Sequence, residues 1–375
     1  MNFPTWPIST ERELELLRQV VESEKWGGYH DFVARFENEF AAYQHCAHGV
    51  SAVNGTVTLE MALAAAGVGP GDEVIVPAIT FISTATAVSR VGGTPVFVDI
   101  EPFTFNMDPG RAEAAIGPKT KALIVVHFGG PMANMDRFAR LAAERNLILI
   151  EDSAHAHGSE WNGRRAGSIG RVGSFSFQNS KVMTAGEGGM LTTNDAELAE
   201  RMRSIGNQGR RSGGGWFHHY TLGTNYRLTA LQAAVLLAQL ERLPEQIRLR
   251  MKNAAIIRET LADVPGLILQ EIPKQAEVNA FYLLLGRIDA GKFGKTRDQF
   301  HKELLARDVP CAGFYPHTLY QNPLYQQGNC RVEPCPVSEA CIQDAFWFPH
   351  RMLMGDEETT RSVAAAIAGV HAKTN

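Results

Sequence analysis

A chain of 375 residues is long for a single core and points to two domains. Hydrophobic content of 45%, charge of 20% and a formal net charge of −4 are those of a soluble globular protein and give no reason to expect nucleic acid or an anionic membrane as partner. The start, Met1-Asn-Phe-Pro-Thr-Trp-Pro7, lacks the basic and apolar regions of a signal peptide, and no apolar run approaches the ~20 residues of a membrane span. Cys46, Cys311, Cys330, Cys335 and Cys341 are odd in number and loosely spaced, which argues against a disulfide framework and against a structural zinc site. Reduced thiols in a cytoplasmic protein without a metal are expected.

From residue 50 to about 200 the chain alternates β-rich and helical runs. The predicted strands are Glu73–Pro77, Pro95–Asp99, Ala122–His127, Leu147–Asp152, Gly173–Phe177 and Gly189–Thr193. Most are continuous apolar runs, as for strands buried on both faces of a parallel sheet. Helical segments such as Thr58–Ala66 and Met135–Arg145 lie between them. The alternation predicts a doubly wound α/β architecture, in which ligands sit outside the carboxyl ends of the strands. A long amphipathic helix is predicted over Leu228–Thr260, with Pro244 expected to kink or break it. Beyond Pro265 the pattern changes to alternating strands with crowded prolines and aromatics. The reading is a large domain over residues 1–248 and a smaller C-terminal α+β domain over 249–375.

The chemistry concentrates in two stretches. The strand Leu147–Asp152 ends in two carboxylates, Glu151 and Asp152. Lys181 follows 29 residues after Asp152, inside Gly173–Gly189 (GSFSFQNSKVMTAGEGG). A carboxylate at a strand end followed by a lysine in a Ser/Gly-rich turn is the pairing that pyridoxal 5′-phosphate chemistry requires. The amine forms a Schiff base with the cofactor aldehyde, and the carboxylate keeps the pyridine nitrogen protonated. Phe175, Phe177, Val182 and Met183 around Lys181 make a poor surface, and a partly buried lysine is easily neutralised into a nucleophile.

Other motifs also have plain structural readings. Asp152 could cap a helix, and Asn54-Gly-Thr-Val-Thr58 could be a turn with an N-cap. With a phosphate to hold, Gly55, Thr56 and Val57 become backbone donors at a helix start, and Ser176 adds a hydroxyl. His155 and His157 lack a third metal ligand at useful spacing, and His155 is better placed to bond the cofactor's phenolic oxygen. Phe81 would stack on the pyridine ring.

Asn54–Thr56, Val76–Phe81, Glu151–Gly158, Phe175–Gly189 and Asn225-Tyr-Arg-Leu228 together make the chain resemble, nearly end to end, the DegT/StrS-type sugar aminotransferases of fold type I. The resemblance implies that Lys181 carries the internal aldimine and Asp152 pairs with the ring nitrogen. It implies that His155 bonds the phenolic oxygen, Phe81 stacks, and Thr56, Val57 and Ser176 hold the phosphate. Asn225 would reach the phosphate of the neighbouring subunit in a homodimer with shared active sites. Some relatives carry His at the lysine position and dehydrate sugars; Lys181 argues against that here.

Phe3–Pro7, Ser176–Thr184 and Trp347–Gly355 look most like aminohydroxybenzoate synthases and scyllo-inosose aminotransferases. Ala230 departs from the family, many of whose members carry Glu there. The expected function is transfer of an amino group from glutamine or glutamate to a keto-cyclitol or keto-sugar. The alternatives are an aromatising dehydratase of the aminohydroxybenzoate type and a non-catalytic sensor with the same fold. Specificity is expected from loops around Trp26–Tyr29, Gly213–Tyr220 and Tyr315–Tyr320.

Overall fold

The computed structural model describes residues 3–371; Met1, Asn2 and residues 372–375, the outer ends of the two expected domain spans, lie outside the described residues. The first nine strands are β1 (His48–Ala52), β2 (Glu73–Pro77), β3 (Thr94–Val98), β4 (Thr120–Val126), β5 (Ile148–Asp152), β6 (Glu160–Trp161), β7 (Arg164–Arg165), β8 (Val172–Ser176) and β9 (Gly189–Thr193). The remaining five are β10 (Leu267–Leu269), β11 (Leu283–Ile288), β12 (Ala312–Gly313), β13 (Arg331–Val332) and β14 (Ala345–Pro349).

The apolar runs assemble into one eight-stranded sheet of order β1-β9-β8-β5-β4-β2-β3-β13. Only β9 runs against its neighbours. Its direction follows from the connection before it. A parallel return needs a crossover, usually a helix, whereas the segment between Ser176 and Gly189 contains none and folds back with Ser176 opposite Gly189. That segment carries Lys181, so the hairpin holds the lysine beyond the carboxyl end of β8. Asp152 closes β5 beside Ser174 of β8. Two strands of this sheet were not read from the sequence. β1 (HGVSA) is rich in small and polar residues, and β13 is only two residues long.

Three helices fix the site's position: α1 (Glu11–Glu22), α2 (Asp31–Tyr43) and α3 (Gly55–Ala65). α3 starts three residues after β1 ends, at the same edge of the sheet as Asp152 and Lys181. Asn54 caps it, its side chain accepting from Val57 N–H at 3.0 Å. Thr58 Oγ1 and Ser174 Oγ, 2.8 Å apart, tie the helix to β8.

The expected break at Pro244 is not found: a single helix runs from Ala230 to Leu261. Its tertiary contacts outweigh the lost hydrogen bond. Leu236, Leu237, Leu243 and Ile247 pack in the core that includes Leu16 and Val20 of α1 and Phe36 and Phe40 of α2. Ala254, Ile257 and Leu261 pack instead with Phe346 and Phe348 of a second, four-stranded antiparallel sheet, β10-β11-β14-β12. The architecture is thus α/β, with a large mostly parallel sheet and a smaller sheet domain. No helix among the described residues is long and apolar enough to cross a membrane.

Candidate active site

A cavity of about 660 Å³ opens at the carboxyl edge of the large sheet. Its wall brings together Asp152, His155, Ser176, Lys181, Phe81 and the start of α3 at Gly55 and Thr56. These are the residues singled out from the sequence, with two exceptions. Val57 does not line the cavity, and its N–H donates to the Asn54 side chain instead. Asn225 is exposed and lies outside it.

Asp152 is buried at the cavity floor. Burial raises its pKa above the usual aspartate value. Several neighbours work the other way, among them Thr84, whose Oγ1–H donates to Oδ2 at 2.8 Å, Ala154, whose N–H donates to Oδ1 at 3.3 Å, and the nearby Lys181 charge. Burial lowers the Lys181 pKa to about 8, against the pull of Asp152. The hydrophobic neighbours anticipated around the lysine, Phe175, Phe177, Val182 and Met183, are all buried and pin its turn to the core.

His155 is also held neutral, its pKa pushed well down by burial. Gly129 N–H donates to its Nδ1 at 3.3 Å, so the ring proton sits on Nε2 as a donor. His157 plays a different part. Its Nε2 lies 2.9 Å from the carbonyl of Ser176, and burial lowers its pKa to about 3, so it donates to that carbonyl and anchors the end of β8.

The anion cradle depends on close approach of backbones. A Cβ on Gly55 would come 2.6 Å from Ser176 Cβ, and one on Gly189 would come 2.4 Å from the Asn54 carbonyl oxygen. Glycine at both places lets the α3 N-terminus seat directly against β8 and β9. Around it stand the hydroxyls of Ser176, Thr56 and Ser83, the last two 2.7 Å apart.

Sequence reasoning missed Thr84, Ser83 and Tyr282, which also line the cavity. Thr84 sits in the helix Ser83–Arg90, where nothing local marks it, and Tyr282 precedes β11 far along the chain. Of the three loops expected to set specificity, Tyr315 reaches the cavity and Trp347 joins it from β14. The other two loops meet each other elsewhere, with the Tyr29 and Trp216 rings 5.7 Å apart.

Pyridoxal phosphate presents a phosphate dianion, a basic ring nitrogen, a phenolic oxygen and an aldehyde. The donor set of this cavity fits those groups. The N-terminus of α3 with its hydroxyls suits the phosphate, and the buried Asp152 carboxylate suits a protonated ring nitrogen. His155 Nε2–H suits the phenolic oxygen, and Lys181 the aldehyde.

Comparison with known proteins agrees. The DegT/DnrJ/EryC1/StrS aminotransferase family matches over residues 7–368. GDP-perosamine synthase of Caulobacter vibrioides is 38% identical over 338 residues, covering 89% of both chains. L-glutamine:2-deoxy-scyllo-inosose aminotransferase of Streptoalloteichus tenebrarius is 36% identical over 400 residues, covering 98% of this chain and 94% of that one. The crystal structure of 3-amino-5-hydroxybenzoic acid synthase superposes with a TM-score of 0.92 at 36% identity, covering 98% of each chain. Matched over nearly its whole length, the chain belongs to the DegT/DnrJ/EryC1/StrS aminotransferase family and is a pyridoxal phosphate-dependent enzyme.

Proposed function

We propose that this enzyme moves an amino group from glutamine or glutamate to a ring ketone of a cyclitol or sugar. The observation that carries the reading is the meeting of Lys181, Asp152 and the α3 N-terminus in a single cavity. Bound pyridoxal phosphate supplies an electron sink for the carbon that loses a proton. Lys181 is the covalent anchor at rest. As a free amine, its Nζ holds the proton taken from the donor's α-carbon and returns it. A pKa near 8 suits that work, since both protonation states are accessible near neutral pH. Asp152 holds the ring-nitrogen proton, helped by Thr84. His155 Nε2–H fixes the ring through its phenolic oxygen, and Phe81, 57% exposed, offers a face for stacking.

The acceptor class rests on the aromatic side of the cavity and on the relatives. Tyr315 and Trp347 offer faces to a ring, while Gln178, Ser180 and Glu187 offer polar groups for hydroxyls. Asn225 is exposed on its own subunit, in keeping with service in a partner's phosphate site, and the active unit is a homodimer. The similarity to 3-amino-5-hydroxybenzoic acid synthase favours a second reading, in which Lys181 takes a proton from a ring that already carries an amine and aromatisation follows.

A panel of keto-cyclitols and keto-sugars tests the choice. The enzyme is first converted to its pyridoxamine phosphate form with glutamine or glutamate. Return of the pyridoxal phosphate spectrum on adding a ketone supports transamination. No return with any ketone, together with an aromatic product from an aminated ring substrate, replaces it with the second reading.

A further inference from the structure

The smaller sheet touches the lysine turn at one place. Tyr282 immediately precedes β11 and His350 immediately follows β14. Leu283 pairs with Pro349, so the two residues flank the same end of the sheet, and His350 N–H donates to the Tyr282 carbonyl at 3.1 Å. Both grip Ser180, the neighbour of Lys181. Tyr282 Oη and Ser180 Oγ are 2.8 Å apart, and His350 Nε2 lies 2.9 Å from the Ser180 carbonyl. Burial lowers the His350 pKa to about 3, so the neutral ring donates that bond. The Tyr282 ring is further packed by His155, centroids 4.3 Å apart, and by His350 at 5.9 Å with rings 30° from parallel.

Lys181 Nζ lies over this immobilised ring, 4.3 Å from its centroid. No carboxylate or carbonyl among the described residues accepts a hydrogen bond from Nζ; the ring face is its contact. A lysine side chain has four rotatable bonds, and proton transfer requires it within hydrogen-bond reach of its target. Misplacement by an ångström is costly in rate. Building on the reading of Lys181 as the working amine, the geometry points to Tyr282 as a positioning residue. Its ring face is the seat of the Lys181 amine whenever that amine is not covalently engaged, and the small domain sets that seat through Tyr282 and His350.

The attraction of a cation to the π face favours the ammonium form and so opposes the effect of burial. The other charged or titratable groups facing the amine are Asp152 at the end of β5, His155 and His157 in the turn after it, Tyr315 and His350 from the C-terminal part, and Glu187 on the rim. Burial keeps the three imidazoles neutral and pushes the Tyr282 and Tyr315 phenols above their usual pKa. None of these five rings adds a charge where the lysine titrates.

The test replaces Tyr282 with Phe and then, by nonsense suppression, with singly and triply fluorinated phenylalanines. Fluorine drains the negative π face while leaving ring shape nearly unchanged. The full chain without cofactor is titrated from about pH 6 to 10 by competitive labelling with acetic anhydride, with Lys181 followed by peptide mass spectrometry. The expected result is a stepwise fall of the Lys181 pKa along the fluorine series, reaching about one pH unit with three fluorines. In the holoenzyme the acidic, ascending limb of the kcat profile should move with it while the donor KM stays level. A Lys181 pKa that is the same throughout the series overturns the proposal, as does a Lys181 that labels like an exposed lysine. Because the titration needs neither cofactor nor substrate, its failure is distinct from failure of the aminotransferase reading.

Discussion

Thr84→Val removes the hydroxyl that donates to Asp152 Oδ2 at 2.8 Å and leaves the shape of a fully buried side chain almost unchanged. A hydrogen bond to a charged group is worth about 1.5–3 kcal/mol. Since one pKa unit is 1.36 kcal/mol, the Asp152 pKa should rise by roughly one to two units. The sign with pH follows from the direction of the native shift. Asp152 is already raised by burial, so its ionised form costs the fold stability as pH climbs from the usual aspartate value through the folded one. The Thr84 hydroxyl offsets that cost only while Asp152 is ionised. Thr84→Val should therefore destabilise the cofactor-free protein by little below the parent's folded Asp152 pKa, which burial already raises, and by the full amount only above the variant's own, still higher pKa. Urea unfolding of both proteins across that range gives the difference directly, and Thr84→Ser should restore most of it. A destabilisation that does not change with pH would refute the argument, because the hydroxyl would then be supporting something other than the carboxylate charge.

Gly55→Ala places a methyl 2.6 Å from Ser176 Cβ and should push α3 off the cradle. Overpacking of roughly 1–3 kcal/mol translates to about five- to 150-fold weaker cofactor binding, measured by equilibrium dialysis; unchanged affinity would mean that the phosphate sits elsewhere. Asp152→Asn should still bind pyridoxal phosphate covalently but lose turnover far more than donor affinity, because an amide cannot hold the ring-nitrogen proton. Turnover near that of the parent enzyme would show that another carboxylate does this work. Mixing Asn225→Ala with Lys181→Ala subunits should restore activity, since one site of each mixed dimer then carries neither lesion. No recovery despite proven subunit exchange would place Asn225 within its own chain's site.

The parts of the site that were legible in the sequence are those carried by local pattern. The run Ile148–Asp152 is apolar until its last two residues, which marks both a buried strand and a functional end. The turn with Lys181 combines a single cation, buried hydrophobic neighbours and glycines, a conflict that only function explains. Asn54–Thr58 was read as a turn ahead of a helix at Thr58; the helix starts three residues earlier, at Gly55, with Asn54 as its cap. Other features depend on tertiary contact. Pro244 sits in an unbroken helix because two cores hold the flanking turns. Val57 was read as a free donor, but an N-cap consumes one backbone N–H, and which one it consumes is visible only in three dimensions. Thr84 and Tyr282 reach the cavity from segments 68 residues before Asp152 and 102 residues after Ser180, so no spacing rule could have found them. The Trp26–Tyr29 and Gly213–Tyr220 loops carry the ring-binding residue types expected of specificity loops, yet within one chain they pack on each other.

Every role proposed for the cavity depends on which amine binds the cofactor. Borohydride reduction of the yellow holoenzyme, followed by peptide mapping, fixes the cofactor to that amine and reads its position. Label is expected on Lys181 alone, with none in Lys181→Ala under conditions where far-ultraviolet circular dichroism shows an intact fold. Label on any other lysine would contradict it.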